Sequence, residues 1–405
     1  MTDLIPELRR DLDIIPVTDN GREILYFHDT LGYAPPDFAL HAAAKPLLSL
    51  FNGQYRISDL LKQNGDAINE QDLKEFIRLL DDAFLLKSSK YDRRAEEIES
   101  SFESSTVRNP ILAGHNYPEN PVQFKVFMDE QFSHSITDEK NTPHSDYNAL
   151  YAPHIDIRVG SNEYIEAFSL LRVMKPKKVL ILATSHYAGY YDSFYQDYPF
   201  IGSLKSYKIP GRLFKTDKNI VSRLSENSSI NGFTLSDRAH RVEHSIETHL
   251  TYISAIWDHD FEIIPILIGS LDELFYLTTG DLAEKTEQFT TDLRSVLQEQ
   301  EDLFTLISGD LSHVGKKFGD SVAASTMRES VSEKDQSFLD MAVSGSPDKM
   351  LDLLSIDYDS TRICGFPPLY IYLKTTQASR GKLINYQWWD ESGRESAVSY
   401  GSILY

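Results

Sequence analysis

The sequence has little cysteine, little positive charge and no long apolar run. Its 405 residues include one cysteine, Cys364, which excludes an internal disulfide framework and a zinc site built from several thiolates. The chain has 40 lysines and arginines against 61 aspartates and glutamates, so its formal net charge is −21. Such a surface repels phosphate backbones and anionic membranes, and we expect neither nucleic acid nor a membrane as a partner.

The apolar runs are also too short to cross a membrane. The longest, such as VLILA and IIPILI, have the length of a strand. Charges interrupt each apolar run of the first twenty residues, which is not the pattern of a signal peptide. Apolar residues still make up 41% of the chain and allow a sizeable core. We therefore expect a soluble, cytoplasmic protein.

A segment rich in charge and serine separates two differently patterned parts of the chain. Residues 90–108, KYDRRAEEIESSFESSTVR, indicate a linker or a solvated helix end. Before this segment apolar residues recur at helical spacing, and Asn69 followed by Asp72 is typical of a helix start. We predict a small, mainly helical domain with a few short strands over residues 1–105. A larger domain over residues 106–405 should fold independently.

The larger domain contains four continuous apolar runs that alternate with helical patterns. Continuous runs of this length are typical of buried strands in a parallel sheet. Their alternation with helices predicts an α/β fold with a central sheet flanked by helices. The four runs lie at residues 148–154, 177–186, 261–269 and 302–310.

Three of these four runs end in polar groups that could bind a ligand. In an open α/β sheet the ligand crevice lies beyond the carboxyl ends of the strands, so these groups should face one pocket. Imidazoles and carboxylates suit zinc, iron or copper, and two histidines with one carboxylate would match the facial triad of non-haem iron enzymes. The residue types alone do not choose the third ligand. The strand-end groups are His154, Asp156, His186, Asp310, Ser312 and His313.

The stretch 241–250, RVEHSIETHL, is dense in imidazoles and carboxylates. His240, His244 and Glu247 have the spacing i, i+4, i+7, which places them on one face of a helix. The stretch is not the H-E-x-x-H motif, so we do not expect a self-contained zinc site there. The apolar residues that follow predict that EHSIETHL (243–250) begins a helix packed beneath the pocket, with its first residues directed at the site. The alternative is a helix that is only capped by polar residues.

Eight motifs, in order, resemble those of the Memo family. The resemblance covers about residues 108–405 and implies a fold similar to that of class III extradiol dioxygenases. It also implies a relation to bacterial members of the AmmeMemoRadiSam system protein B type, which are often grouped with a radical-SAM enzyme that would be a partner. The motifs are AGHNYPEN (113–120), APHID (152–156), LATSHY (182–187), EHSIETHLTYI (243–253), IIPILIG (263–269), SGDLSHVGKKFG (308–319), RICGFPPLYIYL (362–373) and SAVSYGS (396–402).

The same resemblance implies a set of metal ligands. Family members are associated with metal binding through the histidine of the P-H motif, the histidine of the S-H motif and a cysteine in a D-x-C-H segment. These positions are His154, His186 and Ser312 in this sequence. Serine is a poor ligand for iron, copper or zinc, so another residue would substitute for it. The alternatives are Asp310, His313 and His244.

The remaining motif residues have less direct roles. His244 matches the histidine of the family's E-H-S-I-E motif, and we expect it to face the site as an acid or base. Asp310 and His313 are further catalytic candidates. The resemblance gives His240 no role, and we expect it at the surface. Cys364 matches a family cysteine, and we expect it to be a small buried hydrophobe.

The charged residues after the P-H motif allow two interpretations. Asp156 and Arg158 could make the pocket more charged and suit an anionic substrate. Alternatively they could pair with each other.

The N-terminal part has a weaker resemblance. The motif FNGQYRISDLL (51–61) and the helical pattern around it are similar to the PqqD-like winged-helix modules that grip peptides in modification systems. A generic helical capping domain is the alternative.

Two functions follow from these observations. The first is a metal-dependent oxidoreductase or hydrolase that acts on a small molecule in the strand-end pocket. The second is a binding or adaptor protein without catalysis, whose N-terminal module recruits a peptide or protein partner. Ser312, which occupies the position of the expected cysteine, favours the second function.

Overall fold

The computed structural model describes residues 4–64, 68–133, 147–191, 193–377 and 380–405. Two compact units, Met1–Ser104 and Ser105–Tyr405, make up the chain. The segment that the sequence indicated as a linker or helix end is helical over Ser89–Ser104. Independent folding of the two units stays a prediction.

The first unit contains a sheet as well as helices, so the description "mainly helical" is not confirmed. Its three antiparallel strands lie in the order β1-β2-β3. Asn20 and Gly21 join the first two strands with φ of 48° and 76°, the left-handed conformation that a two-residue hairpin turn requires and that Asn-Gly favours. The elements are β1 (Leu12–Asp19), β2 (Arg22–Asp29), β3 (Ala39–His41), α1 (Lys45–Leu48), α2 (Ile57–Asn64), α3 (Glu70–Asp82) and α4 (Ser89–Ser104).

The second unit is built on a large mixed sheet, in which the described residues form twelve strands. The four apolar runs become its buried centre, because residues without polar side chains can be covered by helices on both faces. The strands are β4 (Val107–Arg108), β5 (Ala149–Ala152), β6 (Lys178–Thr184), β7 (Phe200–Gly202), β8 (Ser206–Ile209), β9 (Arg212–Thr216), β10 (Phe233–Thr234), β11 (Glu262–Ile268), β12 (Leu303–Ser308), β13 (His313–Gly315), β14 (Lys382–Glu391) and β15 (Ser396–Leu404).

Helices flank this sheet, and two large hydrophobic clusters and a small third one lie within the unit. None of the helices in the described part of the chain combines the length and the apolarity needed to span a bilayer. The helices are α5 (Pro121–Ser133), α6 (Ile157–Ser169), α7 (Lys218–Leu224), α8 (Ser228–Asn231), α9 (Ala239–Val242), α10 (Ser245–Ile256), α11 (Asp281–Gln298), α12 (Arg328–Val343), α13 (Pro347–Ser355) and α14 (Phe366–Thr376).

The central strands are parallel and lie in the order β5-β12-β6-β11. β12 pairs with β5 on one side and β6 on the other, and Ser308 at its end is in register with Ala152 and Ala183. The carboxyl ends of β5, β12 and β6 are therefore neighbours. The residues that follow these three strands meet at one edge of the sheet.

Candidate metal centre

Three imidazoles meet at the carboxyl ends of these strands. The ring centroids of His154 and His186 are 4.7 Å apart, and His244 lies 5.3 Å from His154 and 5.1 Å from His186. His154 follows β5, His186 follows β6 and His244 precedes α10. The positions of the three rings agree with the expectation from the strand ends. Their roles as ligands or catalysts stay predictions.

The ring of His154 is held by the end of β12. Its Nδ1 lies 3.2 Å from the hydroxyl of Ser308, and that hydroxyl donates to the carbonyl of Ser245 at 2.9 Å. Because Ser308 donates its only hydroxyl proton to the Ser245 carbonyl, its oxygen must accept the hydrogen bond from the Nδ1–H group of His154. The Nε2 atom of His154 therefore carries the lone pair. It faces the Cys364 sulfur at 3.3 Å.

Glu243 holds the other two rings. Its Oε1 lies 3.1 Å from Nδ1 of His186 and 3.3 Å from Nδ1 of His244. Both of its oxygens also accept backbone N–H groups, from His186 at 2.7 Å and from His244 at 2.9 Å. A carboxylate that binds Nδ1 orients the ring and leaves Nε2 available, which is the usual arrangement behind a metal-bound histidine.

Glu243 was not singled out from the sequence. Its carboxylate is buried, with 1% of the side chain exposed, while the rings of His186 and His244 are 25% and 26% exposed. The residue itself has an extended backbone, with φ −82° and ψ 131°, between α9 and α10. The predicted common helix face of His240, His244 and Glu247 is therefore wrong, because two helices separated by Glu243 and His244 replace the one continuous helix.

Cys364 reaches the site through a close backbone approach. The Cα atom of Gly365 occupies the space that a Cβ atom on Gly309 would need, at 2.2 Å, and the Gly365 N–H donates to the Asp310 carbonyl at 2.8 Å. Any side chain at Gly309 would push the two segments apart. The glycine pair thus allows the loop before α14 to carry Cys364 to the end of β12. Cys364 is half-buried beside the histidines and is not the buried hydrophobe that we expected.

Asp310 and His313 complete the cluster. The Asp310 carboxylate accepts the N–H groups of His154 at 2.8 Å and Ile155 at 3.2 Å, and its second oxygen lies 3.7 Å from His154 Nε2. His313 Nδ1 lies 3.0 Å from the carbonyl of Leu311 and 3.1 Å from a second carbonyl. Because carbonyl oxygens only accept, His313 also carries its proton on Nδ1.

The electrostatics of the cluster follow from burial and from neighbouring charges. Burial lowers the pKa of His154 well below its usual value, and the imidazoles of His186 and His244 lower it further. Burial also lowers the pKa of His186, but the Glu243 carboxylate and the Cys364 thiol outweigh this effect and raise it well above 6.5. Burial raises the pKa of Asp310 to about 6, against the effect of the hydrogen bond from His154.

Three groups of donor atoms could each hold a metal ion. Nitrogen, sulfur or carboxylate atoms lie within 4.8 Å of one another in three overlapping sets. Donors bound to one ion at roughly 2.0–2.3 Å are separated by up to about 4 Å, so a small contraction would suffice. Imidazole and thiolate are ligands that zinc, iron and copper accept. The sets are His154-His186-Cys364, His186-Glu243-His244 and Asp310-His313-Cys364.

Ser312, predicted as a ligand, has a different partner. Its hydroxyl donates to the Asp335 carboxylate at 2.6 Å, and its backbone N–H donates to the Ser399 hydroxyl at 2.9 Å. Asp335 also accepts from Ser399 and, at 2.9 Å, from Tyr386. Ser312 is thus part of a buried hydrogen-bond network between β15 and α12, and its contacts do not support a ligand role.

His240 and Glu247, at either end of the histidine-rich stretch, are both buried. His240 is 1% exposed and bonds to Tyr207 and, through Nε2 at 2.9 Å, to the Ile201 carbonyl, so the expected surface position is wrong. Its neighbours Ala239 and Arg241 gave no sign of this burial. Glu247 is also buried, with its carboxylate bound by Arg108 and by the N–H groups of residues 111 and 112, each at 2.9 Å.

Asp156 and Arg158 pair with each other, the second of the two interpretations. The Arg158 Nε atom lies 3.0 Å from one Asp156 oxygen and 3.2 Å from the other. Asp156 also caps α6 by accepting the Arg158 N–H at 2.9 Å. The arginine side chain is 66% exposed. This pair therefore serves the start of α6 and is self-neutralising.

A cleft of about 440 Å³ opens at the cluster. His186 and Cys364 form its inner wall, with Thr184 and Ser185 beside them. Its volume lies within the range of small-molecule sites. A larger cleft of about 510 Å³ lies elsewhere in this unit, around Gly280 and Tyr370, and includes none of the clustered residues.

The fold and the site define an α/β protein with a histidine-rich candidate metal centre at the carboxyl edge of a parallel sheet. Comparison with known proteins then identifies the family. The family model described as "Memo-like protein" matches residues 108–404. The chain belongs to the Memo-like family.

Named relatives extend this similarity along most of the chain. It is 27% identical over 368 residues to a MEMO1 family protein of Aquifex aeolicus (strain VF5), covering 89% of this chain and 90% of the relative. The MEMO1 family protein TTHA0924 of Thermus thermophilus is 23% identical over 360 residues, covering 85% and 96%. Mbar_A1422 of Methanosarcina barkeri is 24% identical over 308 residues, covering 74% and 99%.

Proposed function

We propose that this protein is a metal-dependent enzyme whose ion is held by His154, His186 and Cys364 beside a small-molecule cleft. The observation that carries the proposal is the anchoring of the rings. Both histidines have Nδ1 tied to a protein acceptor, and their ligand atoms lie within 4.8 Å of each other and of the sulfur. A bound zinc, iron or copper ion would supply Lewis acidity, activation of water or redox chemistry.

Other residues of the protein would orient the ligands or transfer protons. Ser308 and Glu243 orient the ligand rings through Nδ1. His244, which is partly exposed beside His186, is the candidate to hold or deliver a proton at Nε2. Asp310 and His313 also lie beside Cys364 and are further candidates for proton transfer.

The reaction can be oxidative or hydrolytic. An oxidative reaction would be of the class III extradiol dioxygenase type, to which the Memo fold is similar. A hydrolytic reaction would use water activated at the same ion. A radical-SAM enzyme as partner, and a PqqD-like peptide-binding role for the first unit, are parts of the same proposal that the contacts of the second unit do not address.

A binding or adaptor function without catalysis is the second candidate. It is favoured by Ser312, which stands where the family pattern has a cysteine and whose hydroxyl is occupied by Asp335. In that case the cleft would recognise a ligand, and metal would be absent.

Elemental analysis of untagged protein tests the two candidates. We expect the wild type to bind metal stoichiometrically, His186→Ala to lose it, and Cys364→Ser to bind soft ions much more weakly, because a hydroxyl replaces the thiolate. Ser312→Ala is the matched control and should bind like the wild type. Binding should weaken on acidification, because protons compete with the metal for the imidazole nitrogens.

The opposing results are equally clear. Undiminished metal in His186→Ala would exclude this site. A wild type that takes up none of zinc, iron or copper would favour the binding function. Equal losses in Cys364→Ser and Ser312→Ala would mean that Ser312, and not only Cys364, acts at the centre.

A further inference from the structure

One residue of the cleft lining, Tyr358, stacks on a second tyrosine, Tyr276. The rings of Tyr276 and Tyr358 are 4.4 Å apart with an interplanar angle of 12°, and the residues are 68% and 56% exposed. Tyr358 lines the same cleft as His186 and Cys364. Large apolar surface that remains exposed next to a cleft is typical of a ligand-binding region.

The loop that carries Tyr358 has a strained backbone. Tyr358, Asp359 and Arg362 have φ of 56°, 49° and 59°, the left-handed region that side chains disfavour. Hydrogen bonds maintain this conformation: the Asp359 N–H donates to the Leu354 carbonyl at 2.8 Å, and the Asp359 carboxylate accepts the N–H of residue 363 at 2.7 Å. Such strain concentrates at binding sites, where a fixed side-chain position is useful.

The charges that line the cleft favour a cation. Its one arginine, Arg362, donates to both oxygens of Asp320, at 2.7 and 3.2 Å, and is therefore neutralised. Asp359 lies 3.7 Å from the Lys334 ammonium group. Asp272 is exposed and has no ion-pair partner among the described residues. A cationic group beside Asp272 would neutralise this carboxylate, whereas an anionic group placed there would be repelled by it.

We infer that the cleft binds a small ligand that combines one planar aromatic ring with a protonated amine. The ring would lie on Tyr358, the amine would face Asp272, and the remaining end would reach His186 and Cys364. This inference rests on the proposed function, because it names the substrate class of the same site. The cleft volume of about 440 Å³ accommodates a single-ring ligand.

Two probes with the same ring and opposite charge test the ligand class. Tyramine and 4-hydroxyphenylacetate are titrated into the full chain and followed by ligand-observed NMR and calorimetry. Tyramine should bind at least about threefold more tightly, since one carboxylate attracts the first probe and repels the second. Asp272→Asn should remove this difference.

A tyrosine variant and a control test the aromatic contact. Tyr358→Asn removes the ring but keeps a residue that tolerates left-handed φ, so the loop need not rearrange. Tyramine affinity should fall about threefold to tenfold, the worth of one ring contact. Ile356→Ala removes an apolar side chain that is 79% exposed on the same loop, and should leave the affinity unchanged.

Metal analysis of the same variants separates the two proposals. Tyr358→Asn should retain its metal although its tyramine affinity falls, whereas His186→Ala should lose its metal. Tighter binding of 4-hydroxyphenylacetate, no effect of Tyr358→Asn, or no binding of tyramine at millimolar concentration would overturn the inferred ligand class. The proposed metal centre would survive each of these results.

Discussion

Two glutamates four positions apart, Glu243 and Glu247, have opposite surroundings although both are buried. Glu247 receives its hydrogen bonds from groups that are themselves enclosed: the Arg108 guanidinium, the Tyr117 hydroxyl and two backbone N–H groups. Glu243 receives backbone N–H groups as well, but its other partners are the partly exposed rings of His186 and His244.

The difference shows what distinguishes a structural carboxylate from one that serves a site. Burial and complete hydrogen bonding are common to both residues. Only Glu243 orients groups that a ligand can reach, because about a quarter of the His186 and His244 side chains is exposed. Glu247 instead closes an internal network that ties the segment after β4 to α10. Three substitutions sharpen this contrast.

Glu247→Ala should have the largest effect on stability. It leaves the Arg108 guanidinium buried without its counter-charge, which typically costs about 3–5 kcal/mol. The free energy of unfolding, measured by urea denaturation, should fall by that amount, while metal bound per folded molecule stays constant. Arg108→Met combined with Glu247→Ala should recover part of the loss. If Glu247→Ala alone were as stable as the wild type, the buried Arg108 guanidinium would not require the Glu247 carboxylate as its counter-charge.

Glu163→Gln extends the comparison to a buried carboxylate without donors. Glu163 is 2% exposed, and neither oxygen has a hydrogen-bond partner among the described residues. Burial raises its pKa from 4.5 to about 7, an effect that the nearby Ser402 hydroxyl only partly offsets.

Because the folded-state pKa lies above the unfolded one, the stability contribution is full below pH 4.5 and is lost as the pH rises towards 7. Glu163→Gln has no ionisable group at this position and therefore does not lose this stability as the pH rises. Relative to the wild type it should gain about 3 kcal/mol between pH 4 and pH 8, since 2.5 pKa units correspond to this free energy. Denaturation curves at several pH values provide the measurement. A constant difference between the two proteins would contradict the raised pKa.

Glu243→Gln should have the smallest effect on folding and a selective effect on the site. The amide still accepts one set of hydrogen bonds but holds the two rings less firmly, and loss of such an orienting carboxylate typically weakens metal binding about 10- to 100-fold. This corresponds to about 1.4–2.7 kcal/mol and is measurable by competition with a chelator. Glu163→Gln, which lies on α6, is the control and should bind metal like the wild type.

The fold of the second unit could be predicted because its central strands are continuous apolar runs. VLILA and IIPILI have no polar residue that would face solvent, so only a covered, parallel-type sheet suits them. The histidines of the site were accessible to the same reasoning, because His154 and His186 directly follow strands that are neighbours in the sheet.

The remaining site residues depend on tertiary geometry. Glu243 was missed because its role depends on the extended backbone between α9 and α10, which brings its carboxylate to the rings of His186 and His244. Its position directly before a histidine was the one available signal. Cys364 was underestimated because its approach depends on the contact between Gly309 and Gly365. The hairpin turn at Asn20 and Gly21 could have been recognised, and with it the sheet of the first unit.

The contact between Gly309 and Gly365 also determines when the centre can form during synthesis. The clustered histidines and Asp310 lie within the first 313 residues and can come together once β12 has paired with β5 and β6. Cys364, in the loop before α14, is synthesised only after α12 and α13. A nascent chain released from the ribosome too early would therefore present an imidazole cluster without its sulfur, and such a chain would have a weaker preference for soft metal ions.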